Sequence, residues 1–327
     1  MKPKLSDVAE EAGVSPTTVS RVINNHGYLS ARTKQKVYDA MEKLHYQPNS
    51  LARSLKGKKT KIIGLIFPGI TNLFFAELIE KLEKQLFLKG YKVILCNAAD
   101  DIAKERDYIK MLIANQVDGI ITGAHNLGIE EYQNIHLPIV AFDRRYASGM
   151  PTISSDNLQG GILATQTLYE AGARHIYFMG NPNQKGNPTD RRLQGYYQQM
   201  TKLGLESQVM PIFFDETPKI KKVSIQRFLK ERKADGIVCS DDLTAILVLQ
   251  SAKELQIEIP DTLKVVGYDG TTFIQTYFPE LTTIVQPLDD IAMMLVESLL
   301  NRMSNRVDKL GENDFILPVS LHHGATI

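Results

Sequence analysis

Cysteine is scarce in this chain: of its 327 residues only Cys96 and Cys239 carry a thiol. That excludes a disulfide framework and a CxxC metal knuckle, and it points to a reducing compartment. Long apolar runs are missing too; none approaches the ~18 residues that a membrane helix needs. The opening Met1-Lys2-Pro3-Lys4-Leu5-Ser6-Asp7 meets charge too early to hold the apolar region of a signal peptide. A cytoplasmic protein with no membrane partner is the expectation. Catalytic signatures are also absent: there is no GxGxxG after the first apolar run, no Walker loop and no GxSxG elbow. Gly180-Asn181-Pro182-Asn183-Gln184-Lys185-Gly186 is bounded by glycine but lacks the final Lys-Ser/Thr. The seven histidines are scattered, and His322-His323 cannot both face one cleft if extended. No metal, no cofactor and no enzyme are therefore expected.

Net charge is nearly absent as well: 38 Lys and Arg against 37 Asp and Glu leave +1. The total conceals a division. Residues 1–60 hold eleven basic and five acidic side chains, a net of +6, and the rest, 27 basic against 32 acidic, carries −5. What is present is thus a small basic head on a larger acidic body. The composition, 43% hydrophobic and 23% charged, is that of a soluble globular chain, and the length suits two or three domains.

In the head, Ser6 is positioned to cap a short helix whose apolar face is Val8, Ala9 and Ala12, and Gly13 stops it. Ser15 is a second cap with Pro16 at the favoured first helical position; Val19, Val22 and Ile23 give the inward stripe. Two short helices across a glycine turn form a helix-turn-helix unit. A third helix, capped by Ser30, carries Val37, Ala40, Met41 and Leu44 at helical spacing and closes a small core. The second helix points Pro16, Thr17, Thr18, Ser20, Arg21 and Asn24 outward, with Ser15 at its start. Short hydroxyls suit phosphates and base edges, threonine methyls suit thymine, and arginine suits guanine. Double-stranded DNA is the expected partner. Further on, Asn49 can cap a helix of about two turns ending at Gly57, too short to be stable alone. It reads as a hinge that folds on DNA, with Leu55 as an apolar wedge in the minor groove and Ala52 and Arg53 beside it.

These residues, Asp7-Val8-Ala9, Ala12-Gly13-Val14-Ser15, Thr18 to Asn24, Pro48-Asn49 and Ala52-Arg53-Ser54-Leu55, resemble the Lac repressor family of bacterial transcription regulators. The resemblance implies homodimers whose paired recognition helices enter adjacent major grooves of a pseudo-palindromic operator. It also implies an intercalating leucine at Leu55 and groove contacts at Thr17, Thr18 and Arg21. Some relatives have an aromatic residue where this chain has Pro16, so an operator sequence does not carry over.

From Lys61 onward, apolar runs begin near Ile62, Lys92, Gly119 and Ile139, and again near His175, Val209, Gly236 and Lys264. Amphipathic segments lie between them, one carrying Phe75, Leu78, Ile79, Leu82 and Leu86, another Ile291, Leu295, Leu299 and Met303. The fold class is α/β: two similar lobes of parallel sheet, four strands each, behind a helical head. Ligands of such sheets bind beyond the carboxyl ends of the strands. Asp143, Asp241 and Asp269 fall there, Arg192 opens a helix nearby, and Phe74 and Phe75 follow the first strand. Carboxylates and a guanidinium for hydroxyls, with an aromatic for an apolar ring face, suit a sugar. A strand-end Asp is otherwise a helix cap, the role assigned to Asp242.

The resemblance extends through the body, on Val266-Gly267-Tyr268-Asp269, Leu281-Thr282-Thr283-Ile284 and Leu317-Pro318-Val319-Ser320-Leu321. It implies a core resembling periplasmic sugar-binding proteins, with effector contacts at Asp143, Arg192, Asp241 and Asp269 and three crossings between lobes. The domains are then 1–46, helix-turn-helix; 47–60, hinge; and 61–327, effector and dimerisation. Lobe 1 takes about 61–157 plus 289–320, and lobe 2 about 158–288 plus 321–327. Glu105-Arg106-Asp107-Tyr108, Ala114 to Gly119, His125-Asn126-Leu127-Gly128 and Ser154 to Asn157 look similar to sucrose-operon members of the family. That implies a repressor gated by a small sugar or sugar phosphate of sucrose or fructose metabolism, acting as inducer or corepressor, or with a protein coregulator. No heptad tail follows Leu321, so a dimer is expected rather than a tetramer. An exported sugar-binding protein and a sugar-modifying enzyme are the competing readings.

Overall fold

A computed structural model describes residues 3–24, 26–47, 59–99, 101–124, 126, 128–147, 149–182, 189–214, 216–304 and 314–327. The chain divides into two compact units, Met1–Thr60 and Lys61–Ile327.

The first unit holds α1 (Leu5–Ala12), α2 (Pro16–Ile23) and α3 (Ala31–Lys43). Val8, Ala9 and Ala12 of α1 pack against Val19 and Val22 of α2 and Val37 and Ala40 of α3. Gly13 closes α1 at φ +62°, a left-handed conformation that costs other residues strain. The Ser15 hydroxyl accepts the Thr18 N–H at 3.1 Å, and that of Ser30 accepts the Thr33 N–H at 3.1 Å, so two of the three caps expected for these helices form. Ser6 is not the cap of α1. The helix starts two residues earlier than a Ser6 cap would place it, at Leu5, because the Asp7 carboxylate reaches back to accept the Lys4 N–H at 2.8 Å. A charged acceptor makes the stronger bond there, and Ser6 donates to the same carboxylate at 3.1 Å.

Among the described residues the second unit forms two six-stranded sheets. The first contains β1 (Ile62–Phe67), β2 (Lys92–Asn97), β3 (Gly119–Thr122), β4 (Ile139–Phe142), β5 (Thr152–Ser155) and β11 (Phe315–Leu317). Its order is β11-β5-β4-β3-β1-β2, with every pairing parallel. The second contains β6 (Ile176–Gly180), β7 (Gln208–Pro211), β8 (Gly236–Cys239), β9 (Lys264–Asp269), β10 (Thr283–Val285) and β12 (Ser320–His322), in the order β12-β10-β9-β8-β6-β7. Only β12 runs antiparallel to its neighbour. All eight expected runs are strands. The additional β5, β10, β11 and β12 are three or four residues long.

Helices cover both faces of both sheets. On the first sheet, α4 (Leu73–Leu88) and α11 (Leu288–Met303) share one core, where Leu78, Leu82 and Leu86 meet Ile291, Leu295 and Leu299. Each such fully buried leucine contributes roughly 1.5–3 kcal/mol. The α4 stripe is rotated slightly from expectation: Phe74 is buried in this core and Phe75 is only half-buried. On the opposite face α5 (Ile102–Ala114) buries Ile109 and Leu112. The second sheet is covered by α6 (Asn157–Glu170) and α7 (Thr189–Leu203) on one face and by α8 (Pro218–Lys230) and α9 (Asp242–Glu254) on the other. A short α10 (Thr272–Tyr277) follows β9. The chain passes between the sheets at Ser155–Asn157, Val285–Leu288 and Leu317–Ser320. Parallel strands therefore aim their carboxyl ends from both lobes toward these crossings.

Candidate effector cavity and nucleic-acid interface

On the head, α2 presents Ser15, Pro16, Thr17 and Arg21 as exposed residues, while Thr18, Ser20 and Asn24 are half-buried. Two of the expected contact residues spend part of their bonding capacity within the helix. The Thr18 hydroxyl lies 2.9 Å from that of Ser15, and the Asn24 amide donates to the Ser20 carbonyl at 2.6 Å. Arg21 is tied to the following turn, its Nε donating to the His26 carbonyl at 3.4 Å. Tyr28, 94% exposed in that turn, was not anticipated. The hinge positions Asn49, Ala52, Arg53 and Leu55 lie outside the described residues.

In the second unit a cavity of about 630 Å³ opens where the strand ends of the two lobes converge. All five expected effector residues, Phe74, Asp143, Arg192, Asp241 and Asp269, line it. Asp143, Arg192, Asp269 and Gln286 form its floor, tied together by a chain of hydrogen bonds that runs through Ser155 and Asn157 behind them. Ser155 Oγ donates to Gln286 Oε1 at 2.6 Å, and Gln286 Nε2 donates to Asp269 Oδ1 at 2.7 Å. Arg192 Nη1 lies 3.5 Å from Asp269 Oδ1. Arg192 Nε donates to Asn157 Oδ1 at 2.7 Å, and Asn157 Nδ2 donates to Asp143 Oδ1 at 3.3 Å. Ser155, Asn157 and Gln286 sit on the crossings, so the floor joins the lobes where the chain passes between them.

Backbone packing places Arg192 within reach. A Cβ added at Gly161 would lie 2.0 Å from the Arg192 carbonyl oxygen, and one at Gly195 would lie 2.1 Å from that of Leu158. Only glycine at both positions lets α6 and α7 approach so closely, which brings Asn157, at the start of α6, against Arg192. Arg192 Nη1 also donates to the Ser240 carbonyl at 2.6 Å.

Burial pushes the Asp269 carboxyl up to about 7, against the pull of Arg192 and with the help of the Asp241 charge. Asp242 is raised in the same direction by burial and by Asp269. The capping role assigned to Asp242 needs correcting. Asp241 is the helix cap: its backbone is extended, its Oδ1 accepts the Thr244 N–H at 2.8 Å, and its Oδ2 accepts the Thr244 and Ser240 hydroxyls at 2.9 and 3.0 Å. Asp242, one residue inside the helix, turns away to accept the Gly270 N–H at 2.7 Å and the Thr283 hydroxyl at 2.5 Å. Asp241 thus both caps α9 and lines the cavity.

The walls are aromatic and apolar. Phe74 stands edge-on to Phe75, centroids 5.4 Å apart, and 5.7 Å from Phe142; Phe214 and Leu247 face in from lobe 2. Lys221, on the first turn of α8, and Glu216 complete that side. A polar floor between apolar walls can hold a polyhydroxylated ring edge-on to its donors and acceptors.

Residues 4–49 match the bacterial regulatory proteins of the lacI family, and residues 165–327 match the periplasmic binding protein-like domain. The chain is 55% identical over 326 residues to the sucrose operon repressor of Pediococcus pentosaceus, covering 100% of both chains. It belongs to the lacI family. This lacI-family regulator is also 48% identical over 330 residues to the sucrose operon repressor of Streptococcus mutans, again over 100% of both. Among solved structures, a LacI-type regulator from Alkaliphilus metalliredigens complexed with D-xylulofuranose is 33% identical with TM-score 0.74. The match covers 82% of this chain and 99% of that one. The lac repressor dimer bound to operator, at 24% identity, shares the fold with TM-score 0.85, over 100% of this chain and 99% of that one.

Sequence reading of this lacI-family regulator missed Ser155, Asn157 and Gln286. Asn157 stood in a motif already noted, Ser154 to Asn157, but a strand-end amide carries no signal of its own. Gln286 follows β10, a strand that was itself missed. Among the described residues no group of three or more His, Cys, Asp or Glu is arranged to hold a metal, and no helix is long and apolar enough to cross a membrane.

Proposed function

We propose that the protein is a homodimeric cytoplasmic repressor of a sucrose-utilisation operon, gated by a small sugar or sugar phosphate of sucrose or fructose metabolism. The observation that carries this is the cavity floor. Its hydrogen bonds run through the interlobe crossings, so a ligand that rearranges Asp269, Arg192 or Asn157 acts on the joint between the lobes. A ligand gates only through its preference for one lobe arrangement; moving the equilibrium from 1:99 to 99:1 takes ~5.5 kcal/mol of differential affinity. The relatives named sucrose operon repressors support the choice of operon. Lys221 on the cavity wall suits a phosphate among the possible sugars. Exposed Phe87 and Leu88 at the end of α4 and the exposed Leu95 of edge strand β2 support self-association.

Operator-binding anisotropy against sucrose, fructose and their phosphates is the direct test. A shift in operator affinity with one of them supports the reading and also separates inducer from corepressor. Turnover of any of these sugars would instead revive an enzyme. Sedimentation should give a dimer mass, and a tetramer would contradict that assignment.

A further inference from the structure

The first two turns of α4 belong to both lobes. Leu78 and Leu82 face the lobe 1 core, whereas Leu73 packs against the lobe 2 core. Phe74 and Phe75 line the cavity. On the same helix the Glu77 carboxylate crosses to lobe 2. Its Oε2 accepts the Thr272 N–H at 2.8 Å and its Oε1 accepts the Thr272 hydroxyl at 2.7 Å. Lys81, one turn on, lies 3.4 Å from Glu77 and 2.9 Å from Asp289, at the start of α11 just past a crossing. Neither Glu77 nor Thr272 lines the cavity.

Thr272 is closely linked to the floor. It stands three residues after Asp269, and the intervening turn is stiff: the Gly270 N–H donates to Asp242 at 2.7 Å and the Gly270 carbonyl accepts from Gln275 at 2.6 Å. A displacement of Asp269 is therefore passed to Thr272 rather than absorbed between them. The floor groups already satisfy one another, with Asp269 Oδ1 held by Gln286 and facing Arg192. A sugar hydroxyl that takes Asp269 Oδ1 parts these contacts.

We infer that Glu77 is a positioning residue whose paired hydrogen bonds to Thr272 latch the two lobes in the described arrangement, and that sugar entry at Asp269 loosens this latch. The inference rests on the sugar-gated reading above. Hydrogen bonds to a charged group are worth enough to shift a two-state equilibrium about tenfold or more. Breaking the latch should thus push the protein toward its sugar-bound arrangement before any sugar is added.

The test is operator anisotropy on full-length wild type, Glu77→Ala, the near-isosteric Glu77→Gln, and Thr272→Val, with sucrose, fructose and their phosphates as probes. Melting curves show that each variant is folded. The expected result has two parts. Sugar-free operator affinity moves about tenfold in the direction that sugar moves the wild type, and the sugar midpoint falls by a similar factor, since the two are linked. The Glu77→Gln variant should show a smaller shift of the same sign. Loss of a merely structural contact would lower the melting temperature and leave both affinities in place. If a sugar shifts wild type but folded variants keep its operator affinity and midpoint, or move oppositely, the latch is overturned while sugar gating stands. If none of the sugars shifts wild type, the gating reading fails. The latch is then judged on sugar-free operator affinity, which an unchanged Glu77→Ala would refute.

Discussion

Arg192 lies over the face of Tyr268, its guanidinium carbon 3.6 Å from the ring centroid, and is only 6% exposed. The stacking leaves the planar edge of the guanidinium to serve Asn157, Ser240 and Asp269 at once. A lysine ammonium has neither the fork nor the flat face to do this. Arg192→Lys should therefore abolish the sugar-dependent change in operator affinity while the sugar-free operator Kd stays nearly intact. Anisotropy titrations with and without sugar check it, and a retained sugar response would remove Arg192 from the site.

The raised Asp269 sets a pH dependence. Its folded pKa of about 7 stands above the ordinary carboxylate value near 3.9. The native state thus holds this proton more tightly than the unfolded state. The associated stability is complete below about pH 4 and is lost as pH rises through about 7. Asp242, raised in the same direction, adds to the same trend. Sugar hydroxyls donating to Asp269 favour the carboxylate, so sugar affinity should increase from pH 6 to pH 8 with proton release. Calorimetry in buffers of different ionisation enthalpy measures that release. Affinity that is flat, or that falls with pH, contradicts the assignment.

Gly161 and Gly195 set the approach of α6 to α7. With backbone carbonyls 2.0 and 2.1 Å from the added Cβ, neither neighbour can step aside cheaply. Gly161→Ala should destabilise the chain by about 1–3 kcal/mol, the usual range for overpacking. It should also weaken sugar binding by separating Asn157 from Arg192. Urea unfolding and sugar titration of the same variant test both. A variant of wild-type stability would show that the helices can part without cost.

Head and cavity should be separable by mutation. Leu55→Ala, in the sequence-derived hinge, should weaken operator binding strongly and leave sugar affinity unchanged. The basic head should give operator binding a steep salt dependence. Anisotropy at several salt concentrations reads both, and unchanged operator affinity in the variant would contradict the wedge.

Ser15→Ala removes the Oγ that accepts the Thr18 N–H at 3.1 Å. Loss of such a cap typically costs about 1 kcal/mol. The head should melt earlier with the body transition unmoved, by calorimetry on the full chain.

Much of this molecule was legible in order along the chain. The split of +6 and −5, the Ser15 and Ser30 caps, the apolar faces of α1, α2, α3 and α11 and eight of the twelve strands among the described residues depend on local spacing and local hydrogen bonds, which a sequence displays directly. The strand-end rule likewise brought Asp143, Arg192, Asp241 and Asp269 to one cavity. Tertiary structure alone decided the rest. The strands of three or four residues at Thr152, Thr283, Phe315 and Ser320 exist only because neighbouring strands offer them partners. Whether Asp241 or Asp242 caps α9 turned on one residue of helix phase and on Gly270 and Thr283 standing within reach of Asp242. Ser155 meets Gln286, and Glu77 meets Thr272, across 131 and 195 residues of sequence. No local pattern specifies such pairs; they follow from the way the two lobes close on their crossings.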